Sequence, residues 1–324
     1  MTNSLESVYR DFNELKYLSI SNETISETIL RIIRRLINAL GTVITDLGDN
    51  GFLALRLSSL NTEIEELLTT TRTTTLTGDS SSFVVNTKLP GLVYRDRPVN
   101  TVQTLVNQLK VLTDVTTKYG VYQQELTDNP ELNNFTRMSN SNLSESIKKH
   151  APSIKLVDSS FTQTAGKKDW LSKDLLGGKR LRVTGVVEGG YITDTNINFV
   201  NSMEVPKALP THVDFERFPT TYQVSLLNAA QGLLGKLNLH YGTSSRYKRI
   251  KALKTLQSHL KRIELQASKT SDGTEIELRE NMVLLGTYIK WLTGSYLEMI
   301  QLNVRVINSA LNVCRQNLNP MKEH

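Results

Sequence analysis

The feature that most constrains this chain is an apolar stripe repeating every seven residues near its C-terminal end. Leu278, Leu285, Leu292, Met299, Val306 and Val313 fill one seam position, and Met282, Ile289, Tyr296, Asn303 and Ala310 fill the other. Asn303 is the one polar residue among them. A strand repeats every two residues, so a seven-residue period predicts a helix, here from about Thr274 to Asn317 with Pro320 beyond its end. The flanking positions decide what kind of packing follows. A two-stranded coiled coil places charges beside its seam, whereas this chain has Tyr288, Ile300, Leu302, Ile307 and Cys314 there. So wide an apolar face favours a multi-helix bundle or a higher-order assembly. Two readings stay open at this point. The stripe is either a core helix of one chain or an assembly seam between chains through Leu285, Ile289, Leu292, Tyr296, Met299, Asn303 and Val306. A buried Asn at such a seam commonly sets register or oligomer state.

The rest of the chain is read by the same periodicity. Thr24 and Glu27 have capping-box spacing, and an Ile-rich helical stripe follows from Ile25 to Leu47, with Arg31, Arg34 and Arg35 largely off it. Gly48-Asp49-Asn50-Gly51 breaks that helix, and Leu53, Leu57, Leu60, Ile64 and Leu67 predict a second one antiparallel to it. Thr69 to Ser82 reads as a loop or tether. Pro98 is placed to open a helix carrying Val102, Leu105, Leu109, Leu112, Tyr119 and Leu126, and Asp128-Asn129-Pro130 ends it. Residues 131–153 read as irregular with one short helix near Leu143–Lys149. A single β-hairpin is expected from Arg180–Val187 and the return through Tyr191–Val200, around Gly189-Gly190. Helices resume over Tyr222–Leu237 and Tyr247–Ile263, and Ser271-Asp272-Gly273 forms a turn. The expected fold is therefore mainly α, a long-helix bundle with a small insertion containing a β-hairpin. Its regions are helical at 1–130, irregular with the hairpin at 131–215, and a basic helical bundle at 216–324.

Bulk properties exclude several classes. One cysteine, Cys314, rules out a disulfide framework and nearly excludes a thiolate metal site within one chain. The N-terminus lacks the basic start and apolar run of a signal peptide, so the chain is expected not to be secreted. The longest charge-free apolar stretch, Leu36–Thr45, is half of the roughly 20 residues a membrane span needs. The net charge of +6 is uneven: residues 1–150 carry 15 cations against 17 acids, and residues 151–324 carry 23 against 15. Such asymmetry suggests an acidic partner for the second half, DNA or RNA being the commonest.

The best functional candidate is a basic helix. Arg246, Lys248, Arg249, Lys251, Lys254, Lys261 and Arg262 occur with no acid until Glu264. Phosphates attract such a surface through charge and counter-ion release. Tyr247 is the sole aromatic among them, which is poor support for stacking on single strands. The alternative reading is a solvated face opposite an apolar stripe. The Ile-rich helix offers a further reading, lying on a membrane with its arginines at the edge. Enzyme signatures fail on detail. His259-Leu260-Lys261-Arg262 with Tyr296 resembles the tyrosine recombinase arrangement, but Trp291 is too near Tyr296 and Tyr296 lies on the seam. Gly232-Leu233-Leu234-Gly235-Lys236 lacks the earlier Gly and the following Ser or Thr of a phosphate loop. The five histidines have no metal-ligand spacing. No catalytic residue, cofactor or metal is expected.

Leu15-Lys16-Tyr17-Leu18-Ser19-Ile20-Ser21-Asn22-Glu23-Thr24, leading into the Ile-rich helix, resembles N-terminal regions of virion structural or internal head proteins of large tailed bacteriophages. The resemblance covers about the first fifth of the chain and extends to its style, rich in Thr, Asn and Ser. It implies a non-enzymatic particle component near packaged DNA, in the virion or host cytoplasm, partnered by other virion proteins or by copies of itself. The expectation is thus a structural or assembly protein, with DNA or RNA binding through residues 246–262 as the alternative.

Overall fold

The computed structural model describes residues 22–49, 51–76, 81–86, 90–95, 97–188, 191–202, 212–267 and 275–319. The fold is mainly α, with a small antiparallel sheet inserted. Nine helices run in chain order among these residues: α1 (Asn22–Asp49), α2 (Gly51–Thr73), α3 (Val102–Thr127), α4 (Asn140–Lys148), α5 (Pro152–Lys155), α6 (Thr220–Tyr241), α7 (Thr243–Ala267), α8 (Glu275–Thr293) and α9 (Tyr296–Leu318). Short 3-10 turns occupy Pro90–Leu92 and Pro130–Arg137. The Ser271–Gly273 turn and most of the Leu15–Thr24 segment lie outside the described residues.

One apolar cluster runs from Ile29 to Cys314 and draws on all three sequence regions. Within it α6 packs on α2, α3 and α9, while α1 lies along α7. The first and second regions are also joined by a ladder, β1 (Ser82–Asn86) pairing antiparallel with β8 (His212–Glu216). The Ile-rich stripe of α1 is spent in this core: Ile29, Ile32, Ile33, Leu36 and Leu40 are buried. That corrects the membrane-surface reading, because the face that would enter lipid is already covered. Among the described residues, no helix is long and apolar enough to cross a membrane.

The structure corrects several element boundaries. α2 continues through Thr73: Leu68 and Thr71 are buried, so packing overrides the low helix propensity of the Thr run, while the hydroxyls of Thr69, Thr70 and Thr73 donate to main-chain carbonyls one turn back. Pro98 ends β3 (Arg97–Pro98), paired with β2 (Val93–Tyr94), and the helix beyond is opened by Thr101, whose side chain accepts from the Thr104 amide. The predicted hairpin exists as β6 (Lys179–Glu188) and β7 (Tyr191–Asn201), but it belongs to a larger sheet. β4 (Phe161–Gln163) and β5 (Asp169–Ser172) extend it in the order β4-β5-β6-β7. Those strands are too short to show a period in sequence.

The seven-residue stripe does not form one helix. It breaks between α8 and α9, where Ser295 takes a left-handed φ of 53°. At Gly294 a Cβ would stand 2.7 Å from the Lys290 carbonyl oxygen, so glycine is needed. The seam survives because Leu292 and Tyr296 keep their four-residue step, and both are buried. The break also has a use. Trp291 Nε1 donates to the Thr195 carbonyl at 3.2 Å, and Ser295 Oγ donates to the Ile197 carbonyl at 3.2 Å. Both acceptors are on β7, one of the sheet's two edge strands, so the joint covers groups that would otherwise invite another strand.

Where α9 meets the Pro90–Leu92 turn, the backbones approach closely. A Cβ on Gly91 would lie 2.9 Å from both the Arg305 carbonyl oxygen and the Val306 Cα. Those are main-chain atoms of a helix and cannot step aside. Gly91→Ala is expected to cost about 1–3 kcal/mol, read as a lower denaturant midpoint at unchanged slope. An unchanged midpoint would mean that the turn and α9 do not meet as described.

Candidate nucleic-acid interface

α7 has two faces of different chemistry. Ala252, Leu253, Leu256, Leu260 and Ile263 point into the core, and His259 is buried among them. Tyr247, Lys251, Lys254, Ser258, Lys261, Arg262 and Leu265 are exposed on the opposite face. Spacings of three and four put these on one side of the helix.

α1 lies antiparallel beside it. Arg34 Nε donates to Glu264 Oε1 at 2.8 Å, and Gln257 Nε2 donates to the Ile37 carbonyl at 2.9 Å. Thus residue numbers rise on one helix as they fall on the other. Arg31, Arg34, Arg35, Asn38, Thr42 and Thr45 are the exposed row of α1. With 100° per residue on two antiparallel helices, both exposed rows turn from the contact line toward the same outer side. They form one surface. No acid occurs from Thr28 to Thr45 or from Thr243 to Ile263, and Glu264 at the margin is held by Arg34.

The predicted basic residues do not all reach this surface. Lys251, Lys254, Lys261 and Arg262 do, and Arg262 Nη1 also donates to Thr136 Oγ1 at 3.3 Å. Lys248 is exposed but paired with Asp128 at 2.8 Å. Arg246 is half-buried, facing Asn61 and Ser58 of α2 across a depression at the α6–α7 turn. Arg249 is a correction. It is 3 % exposed, donates to Gln123 Oε1 at 2.7 Å and to the Leu292 carbonyl, and stacks its guanidinium 3.6 Å over the Tyr296 ring. It is unavailable to any outside ligand. The residues that replace it on the face are the α1 arginines. Their signal in the sequence was the second acid-free stretch, but its alignment with α7 needs the tertiary fold.

The seam residues lie elsewhere. Leu285, Ile289, Leu292, Tyr296, Met299, Asn303 and Val306 are all buried within the chain. Asn303 needs no second subunit, because its Oδ1 accepts from Thr116 Oγ1 at 3.0 Å and its Nδ2 donates to the Met299 carbonyl at 2.7 Å. Of the two readings left open by the heptad, the core helix is the one these contacts satisfy. Tyr296 and His259, from the recombinase-like pattern, are likewise buried, with His259 Nε2 donating to the Leu132 carbonyl at 2.7 Å. Among the described residues no cluster of His, Cys, Asp or Glu could hold a metal ion.

Comparison of the chain with protein-family models, with curated proteins and with solved structures finds no match.

The protein beneath that surface is expected to lose stability in acid. Burial pushes His150, His240 and His259 below the usual histidine value. His240 is 4 % exposed, with neither ring nitrogen paired. Each of these histidines holds a proton less readily in the fold than in the unfolded chain, which takes up protons as pH falls through about 6.5. Their stability contribution is complete above that pH and is lost below it. The melting temperature is expected to drop by several degrees between pH 7.5 and 5.5, and His240→Asn should flatten the profile. A level profile in the wild type would contradict the burial of these rings.

Proposed function

We propose that this chain is a non-enzymatic protein that binds duplex DNA or RNA through the shared outer face of α1 and α7. The observation that carries this reading is the adjacency of two exposed, acid-free rows on antiparallel helices. Arg31 and Arg35 come from one row, and Lys251, Lys254, Lys261 and Arg262 from the other. Lys251 to Arg262 spans about 16 Å of helix, half of one duplex turn of about 34 Å. The ligand class follows from what the face lacks. It has one exposed aromatic, Tyr247, which makes no stacking platform for single strands. Cationic side chains on a convex helix pair suit phosphates, which position a protein without reading bases.

The resemblance to internal head proteins of tailed phages supplies the setting we favour, a particle component lying against packaged DNA. With the seam buried in the chain's core, any contact with neighbouring subunits would use another surface. The test is binding to two duplexes of unrelated sequence across a salt series. Six phosphate contacts give log K against log salt a slope of about −5, the same for both duplexes. Absence of binding in 50 mM salt, or a slope near zero, would sink the proposal.

A further inference from the structure

The cations of the α1–α7 face are not spread evenly along it. On α7, exposed Lys251 and Lys254 form one group, and exposed Lys261 and Arg262 form the other. At about 1.5 Å per residue the midpoints of the two groups lie about 13 Å apart along the helix. The outward positions between them are uncharged: half-buried Thr255 and exposed Ser258. α1 repeats the pattern in antiparallel order. Arg34 meets Glu264, and Gln257 lies between Ile37, whose carbonyl it reaches at 2.9 Å, and Gly41, where a Cβ would stand 3.4 Å from its Nε2. That register sets Arg31 at the Lys261–Arg262 end, and Asn38 and Thr42 beside Ser258 and Thr255. The face thus has two cationic ends with a neutral strip between. The strip is also low. The hydroxyls of Thr42, Thr255 and Ser258 are turned back on their own helices, each donating to a carbonyl one turn earlier. Long cationic side chains therefore stand on either side of short polar ones.

That profile distinguishes between ways of meeting a duplex. A single strand tracked along the helices would leave a phosphate over the strip with no cation to meet it, and a surface that follows one backbone is charged throughout. The two backbones bordering the minor groove of B-DNA match the profile instead. That groove is about 6 Å wide between phosphate surfaces, which puts the phosphorus atoms roughly 12 Å apart, and the base edges between them carry no charge. The major groove, about 12 Å wide before the phosphates are added, is broader than the gap between the two ends. The Lys251–Lys254 end is also hollowed. Tyr247, Ile250, Lys251, Lys254, Thr255 and Ser258 line a recess of about 260 Å³. A deoxyribose can lay its apolar C2′ edge on Tyr247 and Ile250 while the lysines hold its phosphate. A ribose would bring a 2′-hydroxyl onto the same apolar pair.

We propose that the α1–α7 face straddles the minor groove of B-form DNA. Lys251 and Lys254 hold one backbone, Arg31, Lys261 and Arg262 hold the other, and Asn38, Thr42, Thr255 and Ser258 lie over the groove mouth. This rests on the duplex reading and narrows it to one groove, and to DNA over RNA, whose A-form minor groove is wide and shallow.

Fluorescence anisotropy of the full chain on a labelled duplex of alternating A·T pairs tests it. Saturating the DNA beforehand with netropsin, which fills the minor groove, is expected to weaken protein binding by about tenfold, while methyl green, which occupies the major groove, leaves it unchanged. The alternating A·U duplex of RNA should bind about tenfold more weakly than the DNA. Tyr247→Ala should weaken DNA binding severalfold and narrow the gap to RNA, with the salt slope unchanged because no phosphate contact is lost. Tyr247 is 71 % exposed, so the variant is expected to fold, and a thermal melt checks this. The groove assignment is overturned if netropsin leaves binding intact, if RNA binds as tightly as DNA, or if Tyr247→Ala leaves the DNA–RNA difference whole. In each of these cases salt-dependent duplex binding persists, and the broader duplex reading stands. Absence of binding to either duplex at low salt sinks both.

Discussion

Arg249→Ala is expected to be the most damaging single truncation in this protein, lowering unfolding free energy by roughly 3–5 kcal/mol. The reason lies at the α8–α9 break. The last carbonyls of any helix have no partner within it. At the end of α8 they are supplied from other helices. Gln123 Nε2, on α3, donates to the Trp291 carbonyl at 2.8 Å, and Arg249, on α7, donates to the Leu292 carbonyl. Arg249 also holds Gln123 in place through its Oε1 at 2.7 Å. A cation at a helix C-terminus is favoured by the backbone dipoles as well. Truncation leaves two buried acceptors unpaired, opens a cavity, and removes the group stacked on Tyr296. Arg249→Lys keeps the charge but lacks the planar fork that serves two acceptors and a ring at once, so it should fall between wild type and alanine. Denaturant unfolding at neutral pH reads the series. A loss below about 1 kcal/mol for alanine would show that the joint is held by other contacts. Any folded Arg249 variant should keep the wild-type salt slope on duplex DNA, because the side chain never reaches the surface.

Arg249 also shows what a sequence can and cannot disclose. In sequence it is one of seven cations on a helix, indistinguishable from Lys251 or Lys254. Its burial follows from the phase of α7: it falls one turn before Leu253, on the core side, and the seven-cation cluster hid that phase. The heptad of 278–313 was legible because its period is set by geometry, and its burial is real. Its break was not legible. Gly294 and Ser295 preserve the four-residue step of the seam, so the pattern runs through a joint it does not record. Asn303 looked like a residue in need of a partner subunit, since the sequence cannot show that Thr116, far away in the chain, supplies the hydrogen bond. The short strands β4, β5, β1 and β8 were lost for a different reason. Three to five residues carry too little period, and their pairing partners lie up to 134 positions away. The candidate face was half legible. The α7 cations stood out, while the α1 arginines read as residues off an apolar stripe or at a membrane edge. Only the antiparallel contact through Arg34–Glu264 and Gln257–Ile37 makes them one surface.

That contact gives the second large prediction. Replacing Lys251, Lys254 and Lys261 together by Gln should reduce the steepness of the salt dependence by about 2.7, from three lost phosphate contacts at about 0.9 each. Extrapolated to physiological salt of about 0.15 M, the same three terms amount to a loss in duplex affinity on the order of 10²-fold. The stability of the fold should be untouched. All three side chains are exposed, and glutamine is as good a helix former as lysine. The matching triple on the other helix, Arg31, Arg34 and Arg35 to Gln, separates one surface from two. If α1 and α7 grip the same duplex, either triple flattens the slope and the combined variant flattens it further by a similar increment. If α7 acts alone, the α1 triple leaves the slope where it was. Arg34 is the informative member, because removing it also releases Glu264 into the face. The α1 triple should therefore cost more affinity than its lost contacts predict, and Glu264→Gln in that background should restore the difference.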